Sequence, residues 1–261
     1  MNPVDVECMV QSNREISAGI YRLRLKSREV AAADNAGPGR FAMIKLPEKY
    51  SFTLRRPFSY LNASGDELEF AYRVVGEGTR ILSGVEPGAV LRVLGPLGNG
   101  FDVSEVKRRA LLVAGGMGVA PLFFLALKLR EAGVENVEMV YGVCGANELL
   151  FVPEMKEAGV AVTVTTEDGS AGCAGLASDE AARSMESNVP DVVFACGPRP
   201  MLEAVAKEAK RADVSCRVSV EEKMACGVGA CLGCTVQTSR GNRRVCADGP
   251  VFDSKMLFGA D

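Results

Sequence analysis

Four cysteines near one end constrain this chain more than any other feature. From Met224 the sequence runs Met-Ala-Cys-Gly-Val-Gly-Ala-Cys-Leu-Gly-Cys-Thr, and a fourth cysteine follows in Val245-Cys246-Ala247-Asp248-Gly249-Pro250. Cys226, Cys231, Cys234 and Cys246 are thus spaced C-x4-C-x2-C-x11-C. The first three match the plant-type [2Fe–2S] spacing, and the fourth arrives later in the chain. A tight loop would wrap one face of such a cluster and aim its N–H groups at the sulfurs. Gly227, Gly229 and Gly233 are expected to permit that wrapping, because glycine reaches positive φ without penalty. A zinc site with four cysteine ligands is the alternative, although zinc sites usually pair two CxxC-type knuckles and only one pair here has that spacing. Residues 221–261 are too few to build a sufficient core alone, so a metal is expected to hold them together.

The other cysteines, Cys8, Cys144, Cys173, Cys196 and Cys216, are scattered. The chain has no histidine, which excludes Rieske ligation, histidine-ligated haem, mixed Cys/His zinc fingers and Ser-His-Asp or Cys-His catalysis. A net charge of −3 without a basic block argues against nucleic acid as a partner. The apolar runs at 110–114 and 119–127 are too short or too interrupted to span a bilayer. The start, Met1-Asn2-Pro3-Val4-Asp5, lacks a basic-then-apolar signal. The expected location is cytoplasmic, where thiols stay reduced and nine cysteines are not a disulfide framework.

Pattern divides the chain into three regions. Residues 1–104 carry short β-rich segments at 4–10, 20–25, 41–46, 58–62, 67–73 and 90–94, separated by turn residues such as Gly37-Pro38-Gly39. These suggest an antiparallel barrel or sandwich, with one short helix at 78–83. Residues 105–220 alternate buried strands, at 110–114, 137–143, 160–165, 191–195 and 216–220, with helices at 120–132, 148–158, 178–186 and 201–212. Five strands with four intervening helices predict a doubly wound parallel sheet, here taken in the order 3-2-1-4-5. Residues 221–261 form the cysteine-bearing region.

Two segments carry phosphate-binding chemistry. Leu54-Arg55-Arg56-Pro57-Phe58-Ser59-Tyr60 offers a guanidinium for bidentate pairing and a hydroxyl beside a fixed backbone. Downstream, Tyr72-Arg73-Val74-Val75 leads through Gly76-Glu77-Gly78-Thr79 into the short helix. In the second region a strand runs into Gly115-Gly116-Met117-Gly118-Val119-Ala120-Pro121. Bare N–H groups and a helix N-terminus there suit a diphosphate. It is not the GxGxxG fingerprint, because Pro121 stands at the third glycine. The fourth strand ends in Cys196-Gly197-Pro198. With strands one and four adjacent, both turns would flank one crevice, and Cys196 would touch a nicotinamide. After the third strand come Glu167 and Asp168, which disfavour a 2′-phosphate and predict NADH over NADPH.

Arg56-Pro57-Phe58-Ser59, the Gly76 to Thr79 turn, Gly95-Pro96-Leu97-Gly98-Asn99-Gly100, the Gly115 to Pro121 turn and Cys196-Gly197-Pro198 occur in the order seen in the ferredoxin-NADP reductase superfamily. The stretch from Cys226 to Pro250 resembles that of the electron-transfer subunit of type B dihydroorotate dehydrogenase. The resemblance covers essentially the full chain. It implies FAD bound at Arg56, Pro57, Phe58, Ser59, Tyr72, Arg73, Val74, Gly78 and Thr79. It implies NAD(H) guided by Gly115, Gly116, Met117, Gly118, Cys196, Gly197 and Pro198, and a [2Fe–2S] cluster on Cys226, Cys231, Cys234 and Cys246. It further implies electron delivery to FMN in a separate catalytic subunit that oxidises dihydroorotate to orotate in pyrimidine synthesis, as a heterotetramer of two of each. One departure is Cys144, where relatives often carry a basic residue after the second strand.

The relay is coherent on chemistry alone. NADH gives up a hydride, a [2Fe–2S] cluster accepts one electron, and a flavin converts between the two. No general acid or base is needed. Other readings of the same pattern are a self-sufficient NADH:acceptor reductase, the small subunit of a sulfide dehydrogenase or an NADH-dependent ferredoxin:NADP oxidoreductase, and a non-catalytic iron–sulfur sensing subunit. Val251, Phe252, Met256, Leu257 and Phe258 are expected either to face a partner or to pack on the FAD region.

Overall fold

A computed structural model describes residues 3–27, 36–47 and 53–259. The first region closes into a six-stranded antiparallel barrel. Its strands are β1 (Val4–Ser17), β2 (Ile20–Ser27), β3 (Phe41–Lys45), β4 (Arg56–Ser64), β5 (Glu67–Arg73) and β6 (Val90–Leu97), in the order β1-β2-β5-β4-β3-β6, with β6 pairing back onto β1. Period-two burial turns Val6, Cys8, Val10, Leu91 and Val93 inward, so closure buries one face of each strand and leaves no edge. Helix α1 (Glu77–Ser83) lies between β5 and β6. Asn13 holds its C-terminal end by donating to the Leu82 and Val85 carbonyls at 2.8 and 3.1 Å.

The second region is a parallel sheet built on β7 (Arg109–Gly115), β8 (Asn136–Val143), β9 (Ala161–Thr166), β11 (Val192–Cys196) and β12 (Ser215–Ser219). The order β9-β8-β7-β11-β12 is the expected 3-2-1-4-5. Two strands extend it. β10 (Cys173–Ala174) adds in parallel beyond β9, and β15 (Val251–Asp253) pairs antiparallel with β12. Every residue of β7 is buried, as a central parallel strand requires. Ala110, Leu112 and Ala114 point to a core shared with α2 (Val119–Glu131) and α3 (Val152–Glu157). Leu111 and Val113 point to the opposite core, shared with α4 (Ala177–Ser187) and α5 (Arg199–Arg211).

Three local outcomes differ from the sequence reading. The helix expected at 148–158 is a 3-10 turn at 146–148 followed by α3 alone. Pro153 has no N–H to continue a helix from that turn, and Phe151 takes a left-handed φ of 58° at the break. The cysteine-bearing region also adds a strand, β15, to the edge of the sheet, which its sequence pattern does not announce. Finally, Phe252, Met256, Leu257 and Phe258 pack on a core that α4 and α5 share with Phe41, Met43 and Leu97 of the barrel, broader than the FAD region alone, while Val251 packs on the opposite core and Arg199 lies 5.5 Å over the Phe258 ring.

The regions share cores. Helix α2 is apolar almost all round because it packs on the sheet and sends Phe124 into the barrel. Phe41, Met43 and Leu97 of the barrel join Cys234 and Cys246 in one cluster of buried side chains. Among the described residues no helix is long and apolar enough to cross a membrane.

Candidate functional site

Barrel, sheet and C-terminal region meet at a cleft of about 650 Å³, within the usual range for a ligand pocket. Arg56, Pro57, Phe58, Ser59, Tyr72, Arg73 and Thr79 line it from the barrel side. Met117, Gly118 and Cys196 line it from the ends of β7 and β11. The remaining predicted residues stand behind these. Val74 follows β5, its N–H on the Gly19 carbonyl at 2.8 Å. Gly78 leaves room for Arg56, since a Cβ there would lie 2.5 Å from the Arg56 Nε. Gly115 and Pro198 are packed so closely that a Cβ on Gly115 would sit 2.7 Å from Pro198 Cδ. Gly116, at φ +53°, turns the chain out of β7, and Gly197 closes against Gly115.

The two turns flank one crevice because β7 pairs with β11, with Ala114 opposite Cys196. Burial pushes the Cys196 thiol up to about 12, the Glu221 charge adds to this, and a hydrogen bond from Ser219 opposes it. The thiol is therefore neutral at physiological pH, a polarisable contact and not a nucleophile. Thr79 accepts from the Val75 and Gly76 N–H groups at 2.9 and 3.2 Å and so fixes the start of α1. Arg73 reaches across to Glu148 at 2.6 Å, tying the rim of the barrel to the nucleotide domain. Phe58 and Tyr72 stand 5.5 Å apart, and Tyr72 donates to Asn13. Guanidinium, hydroxyl and aromatic groups around a bare glycine form a donor set that fits a flavin dinucleotide.

Sequence reasoning missed Ser219 at the end of β12, Val220, Glu221, Glu222, Lys223 and Met224, which continue from it along the cleft, and Pro250. The signal was available, because the end of a neighbouring parallel strand also faces the crevice. Met224 stands two residues before Cys226, and Pro250 four after Cys246, so the cleft wall is continuous with the cysteine loops.

Hairpin geometry explains the late fourth cysteine. Cys234 immediately precedes β13 (Thr235–Thr238), and β14 (Gly241–Arg244) returns to helix α6 (Val245–Asp248), which carries Cys246. With Thr235 opposite Arg244, Cys246 N–H donates to Cys234 Sγ at 3.4 Å. Cys226 Sγ accepts from Val228 and Cys231 N–H groups at 3.4 and 3.5 Å, and Cys246 Sγ from Gly229 N–H at 3.1 Å. These backbone bonds tie the thiols into two pairs, Cys226 with Cys231 and Cys234 with Cys246. The second pair is buried; Cys231 is exposed and Cys226 half-buried. Burial pushes the Cys226 thiol up, but the N–H groups of Cys231 and Val228 outweigh it and leave it below its usual value. Among the described residues no three Cys, Asp or Glu side chains converge on a single-ion site. Two thiol pairs whose sulfurs accept backbone N–H groups fit a two-iron cluster. Gly227 and Gly229 take positive φ as expected. Gly233 does not; the third left-handed residue is Leu232, at φ 60°.

Asn99 of the barrel latches this region. Its N–H donates to the Gly249 carbonyl at 2.6 Å and its amide to the Ala247 and Asp248 carbonyls at 3.2 Å each. A side chain on Gly98 would strike Pro250, and one on Gly227 would strike Met43.

A flavin-sized cleft between an antiparallel barrel and a doubly wound nucleotide domain, with Met224 and Pro250 of the four-cysteine region on its wall, defines an iron–sulfur oxidoreductase of the ferredoxin reductase fold. Within that class the chain belongs to the electron transfer subunits of dihydroorotate dehydrogenase B. It is 40% identical over 251 residues to "Dihydroorotate dehydrogenase B (NAD(+)), electron transfer subunit" of Caldanaerobacter subterraneus, covering 95% of this chain and 96% of that one. The protein of the same name from Bacillus velezensis is 40% identical over 253 residues, covering 94% and 96%. Residues 221–258 match the iron-sulfur cluster binding domain of dihydroorotate dehydrogenase B, and 112–207 the oxidoreductase NAD-binding domain. Among solved structures, an NADH-dependent reduced ferredoxin-NADP oxidoreductase superposes with a TM-score of 0.85 at 30% identity, covering 96% of this chain and 89% of that one.

Proposed function

We propose that this chain carries electrons between NAD(H), FAD and a [2Fe–2S] cluster and delivers them to the FMN of a dihydroorotate dehydrogenase catalytic subunit, supporting oxidation of dihydroorotate to orotate in the cytoplasm. The observation that carries the reading is the single cleft, to which the barrel, the nicotinamide turns and the approach to Cys226 all contribute wall. When bound, flavin supplies the exchange between two-electron and one-electron chemistry. The chain's own residues bind and orient. Residues 1–104 hold FAD through Arg56, Pro57, Phe58, Ser59, Tyr72, Arg73, Val74, Gly78 and Thr79. Residues 105–220 hold NAD(H) through Gly115, Gly116, Met117, Gly118, Cys196, Gly197 and Pro198. Residues 221–261 hold the cluster on Cys226, Cys231, Cys234 and Cys246.

The more exposed thiol pair, Cys226 and Cys231, marks the side on which a partner receives electrons, and we take the assembly to be a heterotetramer of two of each subunit. Glu167 and Asp168 follow β9, and Cys144 Sγ stands 3.8 Å from Glu167. That acidic setting disfavours a 2′-phosphate, so NADH should turn over faster than NADPH. The deciding experiment reconstitutes the chain with an FMN-containing dihydroorotate dehydrogenase subunit and follows orotate-linked NADH oxidation. Rapid turnover supports the proposal. Co-purification with a larger iron–sulfur flavoprotein, and no orotate-linked activity, would overturn it in favour of the ferredoxin:NADP oxidoreductase reading that the 0.85 superposition keeps in view.

A further inference from the structure

Arg244 ends β14, two residues before Cys246. Its Nε and Nη2 donate to Asp248 at 3.1 and 3.3 Å, and its backbone N–H donates to the same carboxylate at 2.7 Å. Its Nη1 donates to the Gly229 carbonyl at 3.3 Å. Gly229 in turn gives its N–H to Cys246 Sγ. The fit is close, because a Cβ on Gly229 would lie 3.0 Å from Ala247 Cβ and 3.1 Å from Arg244 Nη1. One guanidinium therefore ties the loop carrying the first three cysteines to the helix carrying the fourth, and no cysteine takes part in that tie.

We propose that Arg244 is a positioning residue for the cluster, which holds the Gly229 backbone against Cys246 and sets a positive charge beside the Cys234 and Cys246 pair, so that it governs both retention of the cluster and the ease of its one-electron reduction. The inference rests on the [2Fe–2S] reading. Four thiolates give such a cluster net negative charge, and reduction adds one more. A nearby cation favours the reduced form, and the Arg244 guanidinium is held within one residue, Gly229, of the Cys246 sulfur. Asp248 opposes this by partly neutralising Arg244, so the pair acts as a balance. The Arg244 side chain is 40% exposed, and solvent screens the effect to a modest one. Lysine keeps the charge but lacks the planar fork that reaches Asp248 and Gly229 together; glutamine loses the charge.

The test uses the full chain, purified anaerobically with FAD, with iron and sulfide counted first. A parent chain without them sinks the cluster reading and this inference together; a parent with both isolates the role of Arg244. Arg244→Gln, Arg244→Lys and Asp248→Asn are then compared by EPR-monitored redox titration and by the rate at which a chelator bleaches the cluster, with FAD content as the check on folding. R244Q should be harder to reduce and bleach several-fold faster, with FAD retained. R244K should keep the parent potential yet bleach faster, and D248N should be easier to reduce. R244Q that matches the parent in potential and bleaching overturns the proposal. So does R244K shifted as far as R244Q, or D248N shifted in the same direction as R244Q. If R244Q keeps no cluster while FAD remains, the retention role stands and D248N decides the electrostatic one.

Discussion

Gly118→Ala isolates the contact on which the crevice proposed for the nicotinamide depends. Gly118 has φ −60° and ψ −12°, which alanine adopts freely, so any effect is steric. Its Cβ would fall inside the Cys196 carbonyl group and 2.9 Å from the Gly197 nitrogen. Both obstacles are backbone at the end of β11 and cannot rotate away. Restoring ordinary contact requires the ends of β7 and β11 to part by about 1 Å in a close-packed interior. A misplacement of that size costs up to about 100-fold where reacting groups must be aligned. Gly116→Ala is the control. Its φ is +53° but nothing lies within 4 Å of its Cβ, so it should cost about 1–2 kcal/mol of stability and leave the crevice in register. Anaerobic stopped-flow at saturating NADH should find flavin reduction in G118A slower by roughly 10- to 100-fold, with FAD and cluster retained. G118A as fast as the parent, or G116A as slow as G118A, would refute the reasoning.

Phe124→Ala removes the fully buried ring that α2 sends into the barrel, and should lower stability by about 3–5 kcal/mol, read as a melting midpoint roughly 10 °C lower with earlier FAD release. Asn99→Ala removes two hydrogen bonds from an exposed side chain, about 1 kcal/mol or less, and should speed chelator bleaching of the cluster without slowing flavin reduction by NADH. Asp191 accepts from the N–H groups of Arg108, Arg109 and Lys107, which hold its carboxyl below the usual range. Its unfolded value is about 3.9, so its contribution is present above that pH and fades as the pH falls through the lower folded value. Asp191→Asn should lower stability at neutral pH and flatten the acid limb of a denaturation profile below about pH 4.

Much of the architecture is legible because burial follows simple periods. Inward residues of β1 and β6 alternate, β7 is apolar throughout, and turn residues punctuate both regions. The glycine turn after β7 and the Cys196 turn after β11 could be paired from strand order alone. What escaped the sequence depends on contacts between distant segments. Leu232 takes a left-handed φ that its type disfavours, because the cysteine loop imposes it. Strand β15 is three residues long and has no pattern of its own. Asn99 and Arg244 act through hydrogen bonds to carbonyls of remote residues, and carbonyls carry no sequence signal. The eleven-residue gap before Cys246 makes sense only once β13 and β14 are seen as a hairpin.

The central claim is that electrons from NADH pass through the flavin to the four-cysteine cluster. Freeze-quench EPR of the anaerobic FAD-loaded chain after mixing with NADH tests it most directly. The account predicts that the flavin bleaches first and a rhombic signal from a reduced [2Fe–2S] centre then grows, with two irons and two sulfides per chain. A bleached flavin beside a centre that dithionite reduces but NADH never does, or a colourless chain holding one zinc, would contradict it.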